Sequence, residues 1–143
     1  MRALVLALTL AAMPALAWAA QPAQMATLTV KVDGVSDKGG NLRLGVYNQA
    51  QFAVRGIKPV VGAIVPAKAG EMVLTFKLPP GEYGVKTFQD ENRNGVLDTY
   101  FGMIPSEPFG ISNDAQHGMA PATWDDAKFA VKPGANAIVI HLH

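Results

Sequence analysis

Apolar and polar residues alternate with a period of two in six stretches of this chain, the spacing that gives an extended strand one buried face. Leu28, Val30 and Val32 point one way, and Thr27, Thr29 and Lys31 the other. Leu42, Leu44 and Val46 alternate with Arg43, Gly45 and Tyr47, and Met72, Leu74, Phe76 and Leu78 alternate with Val73, Thr75 and Lys77. Tyr83 and Val85 begin a fourth row after the Pro79-Pro80-Gly81 corner. Ala127, Phe129 and Val131 form a fifth, and Ile138, Ile140 and Leu142 a sixth. A weaker candidate from Val60 to Val65 makes seven, and the only helical room is a turn or two around Gln49 to Arg55. The pattern predicts an all-β, two-sheet sandwich of about seven strands.

The first twenty residues stand outside this pattern. Arg2 supplies a positive n-region, Ala3 to Leu16 an apolar stretch, and Ala17-Trp18-Ala19 the small-x-small site of signal peptidase. The chain therefore reads as a signal peptide over 1–20 and a single domain over 21–143, with a retained N-terminal anchor as the alternative. The apolar stretch is shorter than the roughly 20 residues a spanning helix needs, and the expected mature chain has no transmembrane segment. Cysteine is absent, which removes both disulfides and a lipid-attachment thiol, and the expected location is the periplasm or the medium of a bacterium. Without Arg2, eleven basic residues balance eleven acidic ones, which leaves no basic stripe for nucleic acid.

Fourteen glycines and ten prolines between the apolar runs fit many turns, and no internal repeat is visible. The one long irregular stretch, Asp98 to Asp125, carries Tyr100, Phe101, Phe109 and Trp124. A loop of that length in a compact domain is often functional. These four rings, with Glu107, are a candidate surface for a glycan, a peptide or an envelope protein. The alternative is that the rings plug one end of the sandwich.

The sharpest chemical motif is Asp90-Glu91-Asn92-Arg93-Asn94-Gly95-Val96-Leu97-Asp98. Side-chain oxygens at Asp90, Asn92, Asn94 and Asp98 occupy positions 1, 3, 5 and 9 of a calcium loop, Gly95 position 6, and the Val96 carbonyl position 7. Position 12 is Phe101 where such a loop places a bidentate glutamate, so Glu107 or water would complete the shell. The expected cofactor is calcium, bound weakly. The competing reading is an Asx-rich hairpin on a type I′ Asn94-Gly95 turn.

The blocks Leu78-Pro-Pro-Gly-Glu-Tyr83, Phe88 to Asp98, Phe101-Gly102, Pro105 to Asn113 and Ala127-Lys-Phe129 together resemble the bacterial domain of unknown function 2141. The resemblance covers essentially the whole of 21–143. It implies an exported, uncharacterised protein with an immunoglobulin-like or transthyretin-like sandwich, and no established activity. The Leu78 to Tyr83 corner also resembles that of collagen-adhesin B-type modules.

Catalytic arrangements are thin. Ser112, Asp114 and His117 lie close in sequence, so a hydrolase built on the 106–117 loop is conceivable, but Gly110-Ile-Ser112-Asn-Asp114 is not a nucleophile elbow. His141 and His143 share one face of the last strand and make at most half of a metal site. Asp125-Asp126 reads as the turn into the Ala127 strand. The expected function is a non-catalytic binding or structural module of the cell envelope, with a ligand-free accessory protein as the alternative.

Overall fold

The computed structural model describes Pro22, residues 24–118 and residues 120–143; the signal-peptide reading of 1–20 lies outside the described residues. Ten strands run in the order β1 (Ala26–Val35), β2 (Asn41–Tyr47), β3 (Val61–Pro66), β4 (Gly70–Leu78), β5 (Gly81–Asp90), β6 (Thr99–Tyr100), β7 (Ile104–Pro105), β8 (Phe109–Ile111), β9 (Phe129–Val131) and β10 (Ala135–His141). Two single helical turns interrupt them, α1 (Gln49–Phe52) and α2 (Trp124–Ala127), and a 3-10 turn covers Ser112–Asp114.

One sheet has three strands in the order β10-β1-β4, with β1 parallel to β10 and antiparallel to β4. The other runs β3-β2-β5-β8, and β9 also pairs with β5. Each sheet turns its apolar rows inward. Leu28, Val30, Val32, Leu42, Leu44, Val46, Leu78, Val85 and Ile140 are buried in one continuous core. The all-β sandwich expected from the alternation is the fold, and all seven expected strands are present.

Three departures have local causes. The alternation places Gly34 inward, but a bulge between Val32 and Val35 shifts the register, with Gly34 at φ 81°, and returns Val35 to the core. Ala127 is buried as expected but belongs to α2, not to a strand. The Thr123 hydroxyl accepts from the Asp126 N–H at 3.2 Å and starts that turn, so Asp125 and Asp126 are its first-turn acids. The stretch 98–125 is also more ordered than a loop, since it contains the β6–β7 hairpin and β8.

β5 changes partner along its length, pairing with β9 through Gly81 to Tyr83 and with β8 through Lys86 to Phe88. The Val85 N–H falls in the gap between them. Ser112 fills it: its buried Oγ accepts from Val85 N at 2.9 Å and donates to Ala127 O at 2.6 Å. Gln89, fully buried in the same strand, holds the β1–β2 connection by accepting from Ser36 N at 2.8 Å and donating to Gly39 O at 2.7 Å.

Candidate functional site

A groove lies over the outer face of the β3-β2-β5-β8 sheet. Register fixes what that face displays. One row across the strands is Ile64, Arg43, Phe88 and Phe109, and the next is Gly62, Gly45, Lys86 and Ile111. In the second row Gly45 and Gly62 carry no side chain, and the Tyr47 ring lies over Gly45. Both positions are tight: a Cβ on Gly45 would stand 2.6 Å from the Tyr47 hydroxyl, and one on Gly62 would stand 2.6 Å from Leu44 O. The 53–60 segment and the β6–β7 hairpin rise around this floor, enclosing a groove of about 1210 Å³.

Lys86 is the groove's central charged group. Its stem crosses the sheet toward α1, where Nζ lies 4.3 Å from the Phe52 ring centroid and 5.5 Å from that of Tyr47. The ammonium donates to Phe52 O. Burial, and secondarily the Arg55 charge, hold its pKa below the usual 10.5. Arg43, Arg55 and Lys58 also line the groove, and no aspartate or glutamate does among the described residues. The walls are apolar, with Val54, Val60, Ile64, Val96, Met103 and Ile104 exposed to solvent.

The expected cation ligands border this groove and are drawn together, but their oxygens are occupied from within the loop. Asp90 is fully buried; its Oδ1 accepts from Asn94 N at 3.0 Å, and its Oδ2 from Gly95 N at 2.9 Å and from Arg43 Nη1 at 3.5 Å. Asn92 Oδ1 accepts from Asn94 N, and Asn94 Oδ1 from Val96 N. Both asparagine amides donate to the Asp98 carboxylate. Glu107, 6% exposed, receives Glu91 N at 2.9 Å and Asp98 N at 3.0 Å. The type I′ alternative does not describe this loop: Arg93 and Gly95 have positive φ, Asn94 does not, and β5 pairs onward with β8.

The aromatic candidates separate. Phe101, at 93% exposed, and Tyr100 stand on the β6–β7 hairpin, while Phe109 lines the groove. Trp124 packs edge-on against Phe52, with centroids 5.6 Å apart, in a small cluster with the buried Ala115 and Ala127. The five residues Tyr100, Phe101, Glu107, Phe109 and Trp124 therefore do not share one surface.

The catalytic candidates separate as well. Ser112 is buried and uses its hydroxyl between Val85 and Ala127, whereas His117 is exposed beside the bridge to Ala120. Asp114 faces His141, whose Nδ1 lies 3.0 Å from its Oδ2. His141 is thus engaged by Asp114, while the His143 backbone pairs with Phe109.

The groove residues Arg43, Gly45, Arg55, Gly62 and Lys86 escaped the sequence reading. The signal was there in the outward rows. Ile64, Phe88 and Tyr47 are apolar or aromatic in outward rows of one sheet, where the outer face of the other sheet carries Thr29, Lys31 and Lys77.

Among the described residues no helix is long and apolar enough to cross a membrane. No curated protein and no solved structure matches the chain. Residues 30–139 do match the family model described as an uncharacterized protein conserved in bacteria, domain of unknown function 2141, and the chain belongs to that family.

Proposed function

We propose that the protein is an exported, non-catalytic binding module of the bacterial envelope, and that its ligand lies in the groove on the outer face of the five-stranded sheet. The observation that carries this reading is the groove itself. A solvated antiparallel face normally carries polar side chains, whereas the groove on this one, of about 1210 Å³, sets exposed apolar side chains around four cationic ones. Nile red, a neutral apolar dye, tests it. The dye should brighten and bind saturably to the wild type, and Ile64→Glu, on an exposed position of the floor, should abolish binding without unfolding the protein. Export is tested separately by intact mass of the envelope fraction, which should begin at Ala20 or Gln21.

The cluster of Asn92, Asn94 and Asp98 in the loop that the buried Asp90 anchors favours a second element of the same reading, a weak calcium site at the groove's edge. A cation there would replace the amide donors at Asp98 and take oxygens from Asn92 and Asn94 after rotation of their amides. Calcium at a hundredfold excess over Kd should then add about 2.7 kcal/mol to stability, with magnesium far less effective. Asp98→Ala should remove the response. An unchanged melting curve in millimolar calcium would remove calcium from the proposal.

A further inference from the structure

We propose that the groove takes a free single-chain amphiphile with a carboxylate head, held at Lys86 and Arg55, and an apolar tail reaching the exposed side chains of Val96 and Ile104. This rests on the reading of the groove as a ligand site and adds the chemical class of the ligand.

Charge selects the head. Although the expected mature chain is close to neutral overall, the groove is lined by four cationic side chains and by no carboxylate among the described residues. Arg43 is compensated by Asp90 at 3.5 Å, whereas Lys86, Arg55 and Lys58 have no ion-pair partner among the described residues. The Lys86 ammonium makes one hydrogen bond, to Phe52 O, which leaves two N–H donors. Burial and the neighbouring Arg55 cation both work against its charge, and a bound anion would oppose both effects. A carboxylate placed there completes a charge-assisted pair in a partly dry setting.

Shape selects the tail. Lys86 reaches toward α1, and the path along β5 from there crosses the row of Ile64, Arg43 and Phe88 toward the loop that follows Asp90, where Val96 is exposed. Lys86 to Asp90 is four residues of strand, about 14 Å at about 3.4 Å each, a length that a medium acyl chain spans. Because the walls along that path are apolar, an inorganic or sugar phosphate would find few donors beyond the head group. The Lys86 ammonium is partly buried beside the Phe52 and Tyr47 rings, so a flat bilayer surface does not reach it, and the occupant is a free molecule.

The test is displacement of Nile red from the full chain by dodecanoate, dodecanol and dodecyltrimethylammonium, with sedimentation on phosphatidylglycerol vesicles alongside. Dodecanoate should displace the dye at a concentration at least tenfold below dodecanol, and the cationic amphiphile should be weakest. Lys86→Gln should erase the advantage of dodecanoate over dodecanol, read as the ratio of their displacement midpoints within that variant. Arg55→Gln, at an exposed position, should reduce it in the same direction and serves if the first variant fails to fold. Equal displacement by the carboxylate and the alcohol in the wild type would overturn the assignment of the head while the groove stands. Failure of the wild type to bind the dye and all three amphiphiles would overturn both readings. Vesicle binding that depends on Lys86 would overturn the free amphiphile in favour of a membrane surface.

Discussion

Replacing Ser112 by alanine removes one oxygen from the point where β5 changes partner. Two backbone groups lose their partner at once: the Val85 N–H, 2.9 Å from Oγ, and the Ala127 carbonyl, 2.6 Å from it. Both bonds are buried and Ser112 is 1% exposed, so water does not replace the lost oxygen. An orphaned buried N–H costs about 1–3 kcal/mol, and the bond to Ala127 adds about 1 kcal/mol. The variant should therefore lose about 2–4 kcal/mol. For a domain of this size each kcal/mol lowers Tm by about 3–5 °C, a fall of roughly 10 °C. Urea denaturation followed by circular dichroism measures it, and the midpoint should move while the slope m stays constant. If Ser112→Ala unfolds within about 0.5 kcal/mol of the wild type, the hydroxyl is not structural and the argument fails. A hydrolytic activity lost in this variant at unchanged stability would restore the serine as a nucleophile.

Three further outcomes follow from single features. Thr87 Oγ1 is buried and has no hydrogen-bond partner among the described residues, so Thr87→Val should be neutral or stabilise by up to about 1 kcal/mol, read from the same urea curves. Trp124→Ala should cost about 2–4 kcal/mol by opening the Phe52 cluster, while Nile red binding changes little; a stable variant that no longer binds the dye would make Trp124 part of the site. Because Lys86 gives up its proton in the folded state below the usual 10.5, the unfolded chain binds more protons in that interval, and stability from this group rises with pH up to about 10. Tyr47 and Tyr83, whose pKa values burial raises, act in the opposite sense above 10. Lys86→Met should flatten the rise, which thermal melts between pH 8 and about 10 would register.

The strands were legible because burial on one face leaves a period of two, and that period survives in every long strand. What the pattern hid was the exception to it. Ala127 occupies a core position on a single helical turn, and one buried alanine looks the same on either element. The pairs of β6 with β7 and of β8 with β5 involve only two or three residues each, too few for alternation to show. In the 90–98 loop the Asn92 and Asn94 amides meet the Asp98 carboxylate, whereas the Asp90 carboxylate takes the loop's own N–H groups. The spacing could not tell whether these side-chain oxygens turn toward a cation or toward the loop's own N–H groups, because Asx turns and calcium loops place oxygen at the same alternate positions. The groove was least legible. It depends on which outward residues fall opposite one another, and the facing of Gly45 with Gly62 and Lys86 is a matter of register between strands that sequence order does not state.

The parallel pairing of β1 with β10 governs when the molecule can form. β1 is the middle strand of its sheet, yet one of its two neighbours is the last strand of the chain, and Asn136 reaches back to the carbonyl of Thr27 across 109 positions. Until residues 135–141 have been synthesised, β1 is an edge, with a row of N–H and C=O groups open to any other extended chain. Closure then brings together ends separated by almost the whole domain, which places folding toward the slow, millisecond-to-second end for two-state proteins. A nascent chain of this design leaves β1 half-paired until β10 has been made.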